Sequence, residues 1–261
     1  MPSPLAAFCD RACGRRAPPA ARAAAVRAIG PAVRSLCAQL DALGSETDDD
    51  RGEAPGGAQC GQPAPSPGIP LPGPDEAQRS HPVLLPGVLS EEDIGRVRAL
   101  SESLSSREHR KHASSARWRT RYLHAGGAFR EQLPDVLDKL ISAAFAADAK
   151  AWGRARSAES RAMLHPRCIE HHLVSPGGSL PDPTHFDGGS LLTIDVMLSD
   201  PARDFDGGDF CTLETGGGSA KHAFGKGDAL VFLSHKAHCV EPVRSGLRQT
   251  LILELWEGEE I

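Results

Sequence analysis

The chain has 261 residues and a formal net charge of −5 at pH 7, a balance that argues against a nucleic-acid-binding surface, which needs a dominant basic stripe. Hydrophobic residues make up 40% of the chain, and no apolar run approaches the roughly 18 residues that a membrane-spanning helix requires. Length and composition therefore predict a globular protein with one substantial core and room for a smaller appendage.

Cysteine usage indicates the redox compartment. The chain has seven cysteines, an odd number at scattered spacings, and no two of them form a Cys-x-x-Cys pair. A zinc ribbon or a thioredoxin-type site is therefore not expected. Unpaired, scattered cysteines are typical of reduced thiols, which predicts an intracellular protein, most simply a cytoplasmic one.

The first 82 residues divide into two segments. Residues 1–41 are rich in Ala and Arg and carry apolar residues at helical spacing, interrupted by Pro31. They are either a helical segment packed on the main domain or a cleaved organelle-targeting segment, and both interpretations stay open. Residues 42–82 contain an acidic run and are then dominated by Pro and Gly. Such a composition predicts a disordered linker.

Residues 83–159 are predicted to form a helical support region. Ser90 is a candidate helix N-cap, because three acidic residues follow it in the first turn, where the helix dipole favours them. Ile94, Val97 and Leu100 then fall on one face. Residues 134–152 carry an apolar stripe at helical spacing and predict a second, amphipathic helix that packs on the core.

From residue 160 onward the pattern changes to short apolar runs separated by turns rich in Gly, Pro and Asp. The predicted strands cover residues 168–174, 191–198, 210–214, 229–233, 239–243 and 249–256. Evenly spaced short strands are typical of a sandwich or barrel. Helices followed by strands predict an α+β fold, in which N-terminal helices back an antiparallel jelly-roll domain at residues 160–261.

Candidate metal ligands lie in the strand-rich half. His185 and Asp187 are two positions apart, so in extended backbone both point to one side while Phe186 turns away into packing. His238 offers a second imidazole 51 positions after Asp187, and its V-x-P-V context favours it over the alternative, His235. Two histidines and one carboxylate form a facial set that suits non-haem Fe(II) and oxygen chemistry.

A candidate anion site follows. Arg248 lies ten positions beyond His238, the length of one hairpin, which predicts that the two residues begin neighbouring strands. If the metal binds 2-oxoglutarate through its keto acid end, a planar guanidinium is the best partner for the far carboxylate. Thr250 points to the same side as Arg248 and could add a hydroxyl.

Taken together, these motifs resemble the Fe(II)/2-oxoglutarate-dependent dioxygenases, specifically the prolyl 4-hydroxylase-like group, over roughly residues 160–257. The order of the motifs is more specific than His-x-Asp alone. The matching segments are His185-Phe186-Asp187, the Gly-Gly turn at residues 204–210, Gly227-Asp228 before an apolar strand, His238 through Val243, and Gly246-Leu247-Arg248.

The resemblance implies a double-stranded β-helix, with iron held by His185, Asp187 and His238, and with 2-oxoglutarate anchored by Arg248. It also implies an oxidoreductase that uses O2 to hydroxylate a C–H bond, in a prolyl or other side chain of a peptide or in a small molecule. Such an enzyme releases succinate and CO2. Ascorbate often keeps the iron reduced in this group.

One departure from the family pattern concerns the co-substrate site. A tyrosine that often helps to hold 2-oxoglutarate would fall near Val174 in this chain. Either His171 or His172 takes its place, or the co-substrate contact differs. A non-catalytic jelly-roll module that binds a metal or a small ligand remains the alternative to an enzyme.

Overall fold

The computed structural model describes residues 68–104, the backbone of residues 108–109, and residues 117–258. The predicted segment 1–41 and residues 42–67 of the predicted linker lie outside the described residues. Within the described part, none of the helices combines the length and the apolar character that crossing a bilayer requires.

The helices of the described residues come before the main strands. They are α1 (Pro74–Arg79), α2 (Glu91–Ser103), a 3-10 turn (Ala125–Gly127), α3 (Ala128–Gln132), α4 (Pro134–Ala151) and α5 (Ala158–Ala162). The two helices predicted from the sequence are present as α2 and α4.

Helix α2 begins as its sequence predicts. Ser90 Oγ accepts a hydrogen bond from the Asp93 amide at 3.1 Å, and the Asp93 carboxylate accepts one from the Ser90 amide at 3.0 Å, which forms a capping box. Asp93 also accepts a bond at 2.8 Å from Lys139 of α4. The apolar face of α2, with Ile94 and Val97, is buried against α4 and the sheet.

Helix α1 lies inside the range that was predicted to be a disordered linker, so that prediction does not hold for residues 74–79. Pro74 begins the helix, where its missing amide hydrogen costs nothing, and Ala77 is fully buried. Lys236 donates from its buried ammonium group to the Gln78 carbonyl at 2.7 Å. This contact comes from a residue far along the chain, which local composition does not reveal.

Twelve strands lie in the described residues. The first six are β1 (Val83–Leu85), β2 (Glu108–His109), β3 (Trp118–Tyr122), β4 (His165–Val174), β5 (Leu192–Met197) and β6 (Phe205–Gly207). The other six are β7 (Phe210–Leu213), β8 (Ser219–His222), β9 (Ala229–Leu233), β10 (His238–Val240), β11 (Val243–Gly246) and β12 (Arg248–Trp256).

The strands form three antiparallel sheets. The largest has the order β1-β9-β5-β12-β4-β3-β2, and the smaller ones are β10-β7-β8 and β11-β6. The predicted mixture of helices with antiparallel sheets is confirmed. The strand predicted at residues 239–243 is in fact two strands, β10 and β11, which pair with different partners. Pro242 separates them, because proline has no amide hydrogen for a sheet ladder.

Strand β12 divides the interior into two cores. Its odd-numbered residues Leu251, Leu253 and Leu255 are buried against the helices in the larger core. Its even-numbered residues face the smaller sheets. The second core fills the space between the sheets, and its members are Trp118, Val174, Leu180, Met197, Phe205, Phe210, Phe224, Leu230, Phe232, Val240 and Val243.

Leu253→Ala should test the importance of the helix-facing core. Leu253 is 0% exposed, so truncation is expected to cost about 2–5 kcal/mol of unfolding free energy through lost burial and a residual cavity. Leu84 is 46% exposed on edge strand β1, so Leu84→Ala is the matched control and should cost less than about 1 kcal/mol. Urea unfolding of both variants measures the difference; equal losses would contradict this description of the core.

Candidate metal and anion site

A small cavity of about 170 Å³ lies between the largest sheet and the smaller ones. The side chains that line it come from β3, β4, β5, β7, β9, β10 and β12, and from the loops before β5. They are Trp118, Glu170, His172, Leu180, His185, Asp187, Thr193, Asp195, Phe210, Phe232, His238, Val240, Arg248, Thr250, Ile252 and Glu254.

The structure brings His185, Asp187 and His238 together at this cavity. One ligand atom from each lies within 4.8 Å of the others. The Oδ1 atom of Asp187 is 3.4 Å from His185 Nε2 and 3.8 Å from His238 Nε2. No other group of three or more such side chains in the described part of the chain meets this criterion. Two imidazoles and one carboxylate so arranged could hold a divalent metal ion.

Backbone hydrogen bonds join the two segments that carry these residues. The His238 amide donates to the His185 carbonyl at 2.8 Å, and the Asp187 amide donates to the Ser234 carbonyl at 2.8 Å. Residues 185–187 lie outside the strands, and these bonds fix their position. Phe186 turns away from the cavity, as predicted, but its packing is only partial, because the ring lies against His235 and the residue is 49% exposed.

His238 presents one particular nitrogen to the cluster. Its Nδ1 lies 2.9 Å from the Lys236 carbonyl, which can only accept, so Nδ1 carries the proton and Nε2 keeps its lone pair. The ring stacks on Phe210 with 5.3 Å between centroids. Burial lowers the pKa of His238 even though Asp187 opposes this, which favours the neutral form that binds metals.

Asp187 is held by a residue that the sequence analysis did not identify. Thr193 Oγ1 donates to Asp187 Oδ2 at 2.8 Å and lies 2.9 Å from Ser234 Oγ. Oδ1 is thereby left facing the two imidazoles. Burial alone would raise the pKa of Asp187, but the charge of His238 and the hydrogen bonds from His185 and Thr193 outweigh it, so the pKa is lowered.

Arg248 is buried in the same cavity, and its guanidinium is incompletely bonded. The residue is 1% exposed, and Nη1 donates to Thr250 Oγ1 at 3.3 Å. Nε and Nη2 have no hydrogen-bond partner among the described residues. Burial lowers the pKa of Arg248, although Asp195 opposes this. Unsatisfied N–H groups on a buried cation are costly, so this end of the cavity suits an anionic ligand.

Arg248 and His238 do not begin neighbouring strands, contrary to the prediction from their spacing. Strand β10 pairs with β7, whereas β12 lies between β4 and β5. Strand β11 occupies the intervening residues, so the connection is longer than one hairpin. The two residues belong to different sheets and meet because both line the same cavity.

The Gly-Gly turn is explained by its contact with Arg248. Gly208 has a φ of +65°, and a Cβ there would lie 2.8 Å from Arg248 Cδ. Gly207 has a φ of +78°, and a Cβ there would lie 2.5 Å from the Pro242 carbonyl oxygen. Only glycine fits both the backbone conformation and the close approach. The turn thus lets the main chain pass close to the aliphatic part of the Arg248 side chain.

The remaining candidate histidines take different positions. His235 bonds to the Pro72 carbonyl and lies outside the metal-ligand cluster. His171 is buried on the helix side, where its Nδ1 lies 2.6 Å from Ser101 Oγ, and burial lowers its pKa to about 3. His172 lines the cavity and bonds to Glu170 at 2.8 Å. Of the two possible replacements for the missing tyrosine, only His172 faces the cavity.

Three carboxylates in the cavity wall were also missed from the sequence: Asp195 and Glu170, which are buried, and Glu254, which is half-buried. Asp195 and Glu254 each lie between two apolar residues on their strands, a pattern that predicts the face of the sheet to which they point but not a role in a site. Burial raises the pKa of Asp195 to about 6, against the lowering effect of Arg248. Burial and the charge of Asp187 raise the pKa of Glu254.

No protein-family model matches the chain, and no curated protein matches it. Among similar solved structures is a 2OG-Fe(II) oxygenase family oxidoreductase from Burkholderia pseudomallei, with 18% identity, a TM-score of 0.47, and coverage of 69% of this chain and 85% of that one. A Pseudomonas putida prolyl-4-hydroxylase has 14% identity and a TM-score of 0.49, covering 71% and 97%.

A third similar structure is a prolyl hydroxylase from Trichoplax adhaerens in complex with a hypoxia inducible factor peptide fragment. It has 14% identity and a TM-score of 0.49, and the match covers 70% of this chain and 87% of that chain. Proteins described as 2-oxoglutarate/Fe(II) oxygenases and as prolyl hydroxylases are therefore among the structures similar to this one.

Thr193→Val should weaken metal binding without unfolding the protein. The substitution keeps the shape but removes the hydroxyl that orients Asp187, so affinity for Mn(II) is expected to fall about ten- to a hundred-fold. Thr120→Val is the matched control, because Thr120 is also buried but its hydroxyl has no partner among the described residues. Calorimetric titration with Mn(II) measures both variants; equal affinity of Thr193→Val and the wild type would contradict the orienting role.

Proposed function

We propose that this chain is an Fe(II)- and 2-oxoglutarate-dependent dioxygenase that hydroxylates a C–H bond. The proposal rests on two groups of side chains that line one cavity. A cluster of two histidines and one aspartate lies at one part of it, and the incompletely bonded guanidinium of Arg248 at another. A metal ion fits the first group, and an anion fits the second. A keto diacid offers both partners in one molecule.

The fold assigned with this function is a double-stranded β-helix, or jelly roll. Three features support it. The largest sheet and the smaller sheets enclose a shared apolar core. Strands β5 to β9 also separate Asp187 from His238 in the chain, which is about one circuit of a small jelly roll. All strand pairs in the described residues are antiparallel, as this fold requires.

His185, Asp187 and His238 would hold the iron, which would supply the oxidative chemistry with 2-oxoglutarate and O2. 2-Oxoglutarate loses CO2 and becomes succinate, taking up one oxygen atom of O2. The other oxygen atom enters the C–H bond of the substrate, which becomes an alcohol. Ascorbate is proposed as the reductant that keeps the iron ferrous.

The cavity residues have separate tasks in this reaction. Arg248 binds the far carboxylate of the diacid, and Thr250, which touches Arg248, adds a hydroxyl. His172 lies opposite Thr250 in the strand register and borders the same space. Phe210 and Phe232 pack on His238 and keep the surroundings of the metal ligands apolar. Exclusion of water strengthens the charge-assisted bonds to the diacid.

A more open groove of about 310 Å³ adjoins the cavity and shares His185 and Asp187 with it. The exposed ring of Phe186 lies along this groove. We assign the substrate to this side, since the small inner cavity has room for a co-substrate but not for a peptide. By the family resemblance, a prolyl or other side chain of a peptide is the leading substrate class.

Asp187→Ala should abolish iron-dependent succinate formation, because it removes the only carboxylate of the proposed ligand set. His235→Ala is the matched control: that imidazole lies outside the cluster, so its loss should change the rate less than about twofold. Succinate release is measured with Fe(II), ascorbate and 2-oxoglutarate over pools of peptides and metabolites. Near-normal turnover by Asp187→Ala would refute the metal assignment, and metal binding without any succinate would favour a non-catalytic module.

Arg248→Ala should weaken 2-oxoglutarate binding. A charge-assisted hydrogen bond worth about 1.5–3 kcal/mol is lost, which corresponds to about a ten- to hundred-fold increase in Kd. Binding is measured by calorimetry on the Mn(II)-loaded chain, with Arg244→Ala as the control, because Arg244 is exposed and paired with Asp206. An unchanged Kd in Arg248→Ala would exclude the anchoring role.

A further inference from the structure

Asp195 and Arg248 face each other inside the cavity, and neither is fully bonded. Asp195 Oδ2 lies 3.8 Å from Arg248 Nη2, which is beyond hydrogen-bond distance. Asp195 Oδ1 and the Nε and Nη2 atoms of Arg248 have no hydrogen-bond partner in the described part of the chain. Both residues are buried, with 3% and 1% exposure. The two side chains attract each other electrostatically, but their unbonded polar atoms remain available to a ligand.

This arrangement creates a conflict for an anionic ligand. A carboxylate that binds the guanidinium of Arg248 enters a buried space already bordered by the carboxylate of Asp195. Keeping two neighbouring carboxylates ionised in one buried site costs free energy, because like charges repel strongly there. One of them therefore takes up a proton. The protein carboxyl is the candidate, because the ligand carboxylate is stabilised by direct bonds to the guanidinium.

We propose that Asp195 takes up a proton when the far carboxylate of 2-oxoglutarate binds Arg248, so that co-substrate binding is coupled to pH. This inference rests on the proposed function, because it assumes that 2-oxoglutarate is the diacid. Asp195 lines the same cavity as Arg248 and acts directly on the ligand carboxylate. When neutral, it can donate its O–H to an oxygen of the ligand and no longer repels it.

The surroundings of Asp195 favour the neutral form. Its own pKa is already raised to about 6, chiefly by burial, with Asp187 adding to the rise and Arg248 opposing it. The titratable and charged groups that border the same cavity are Arg248 and Glu254 on β12, Glu170 and His172 on β4, His238 on β10, and His185 and Asp187 before β5. Strands β7 and β9 contribute only the uncharged Phe210 and Phe232 to the lining of this cavity.

The direction of the pH effect follows from these charges. An ionised Asp195 opposes the ligand and a neutral one does not, so 2-oxoglutarate should bind more tightly at lower pH. If only the neutral form accepts the diacid, each ligand binds together with one proton. The Kd should then rise by up to about tenfold per pH unit above the pKa of Asp195.

The test is calorimetry of 2-oxoglutarate binding to the full chain at saturating Mn(II), from pH 6 to pH 8, in buffers of different ionisation enthalpy. The wild type should take up close to one proton per ligand at pH 8 and show the increase in Kd. Asp195→Asn should bind at pH 8 nearly as tightly as the wild type does at pH 6, without proton uptake. 2-Oxobutyrate, which lacks the far carboxylate, should bind without proton uptake.

Asp209→Asn is the matched control. Asp209 also acts electrostatically on Arg248, but it is paired with Lys221 and does not border the inner cavity. This variant should keep the pH dependence, and loss of the dependence here would overturn the assignment to Asp195. A flat Kd without proton uptake in the wild type would overturn the inference even if Asp195→Asn failed to fold. No 2-oxoglutarate binding at any pH would overturn the proposed function and the inference together.

Discussion

The buried guanidinium of Arg248 is the constraint on which the cavity depends. Arg248 begins the central strand β12, is 1% exposed, and keeps two nitrogen atoms without hydrogen bonds in the described structure. An uncompensated buried charge costs several kcal/mol, and Asp195 at 3.8 Å offsets that cost only in part. Such an arrangement is unfavourable for stability alone. It would become useful when a ligand carboxylate completes the bonding, which is why we propose Arg248 as part of a binding site.

The strand topology explains how the metal-ligand cluster forms next to this cation. His238 belongs to the small sheet, and Arg248 belongs to the central strand of the large sheet, so the cavity is where the two sheets face each other. The loop with His185 and Asp187 is attached to the segment before β10 by backbone hydrogen bonds. The three candidate metal ligands are therefore positioned by the main chain, and Thr193 orients only one carboxylate oxygen of Asp187.

The sequence predicts much of this structure and misses identifiable parts. Helices α2 and α4 and most of the long strands are predictable, because capping, periodicity and turn residues are local signals. Residues 185, 187 and 238 were identified as one group because their side-chain types suit a metal and their motifs resemble a family. Helix α1 was not predicted, since its contact with Lys236 comes from a distant part of the chain. Pro242 is a local signal for the break between β10 and β11, but the different partner strands of the two are set by distant pairing.

The missed side chains share a physical cause. Thr193 and Asp195 lie on a strand that reads as apolar and buried, and nothing local distinguishes a polar residue that bonds a ligand site from one that is merely tolerated. Their roles appear only when β5 is placed beside β12 and the loop before it. The excess of carboxylates in the cavity then has a consequence for the order of binding. On the proposed function, a dication held by His185, Asp187 and His238 would reduce the repulsion that a diacid meets, so the metal should bind before the diacid.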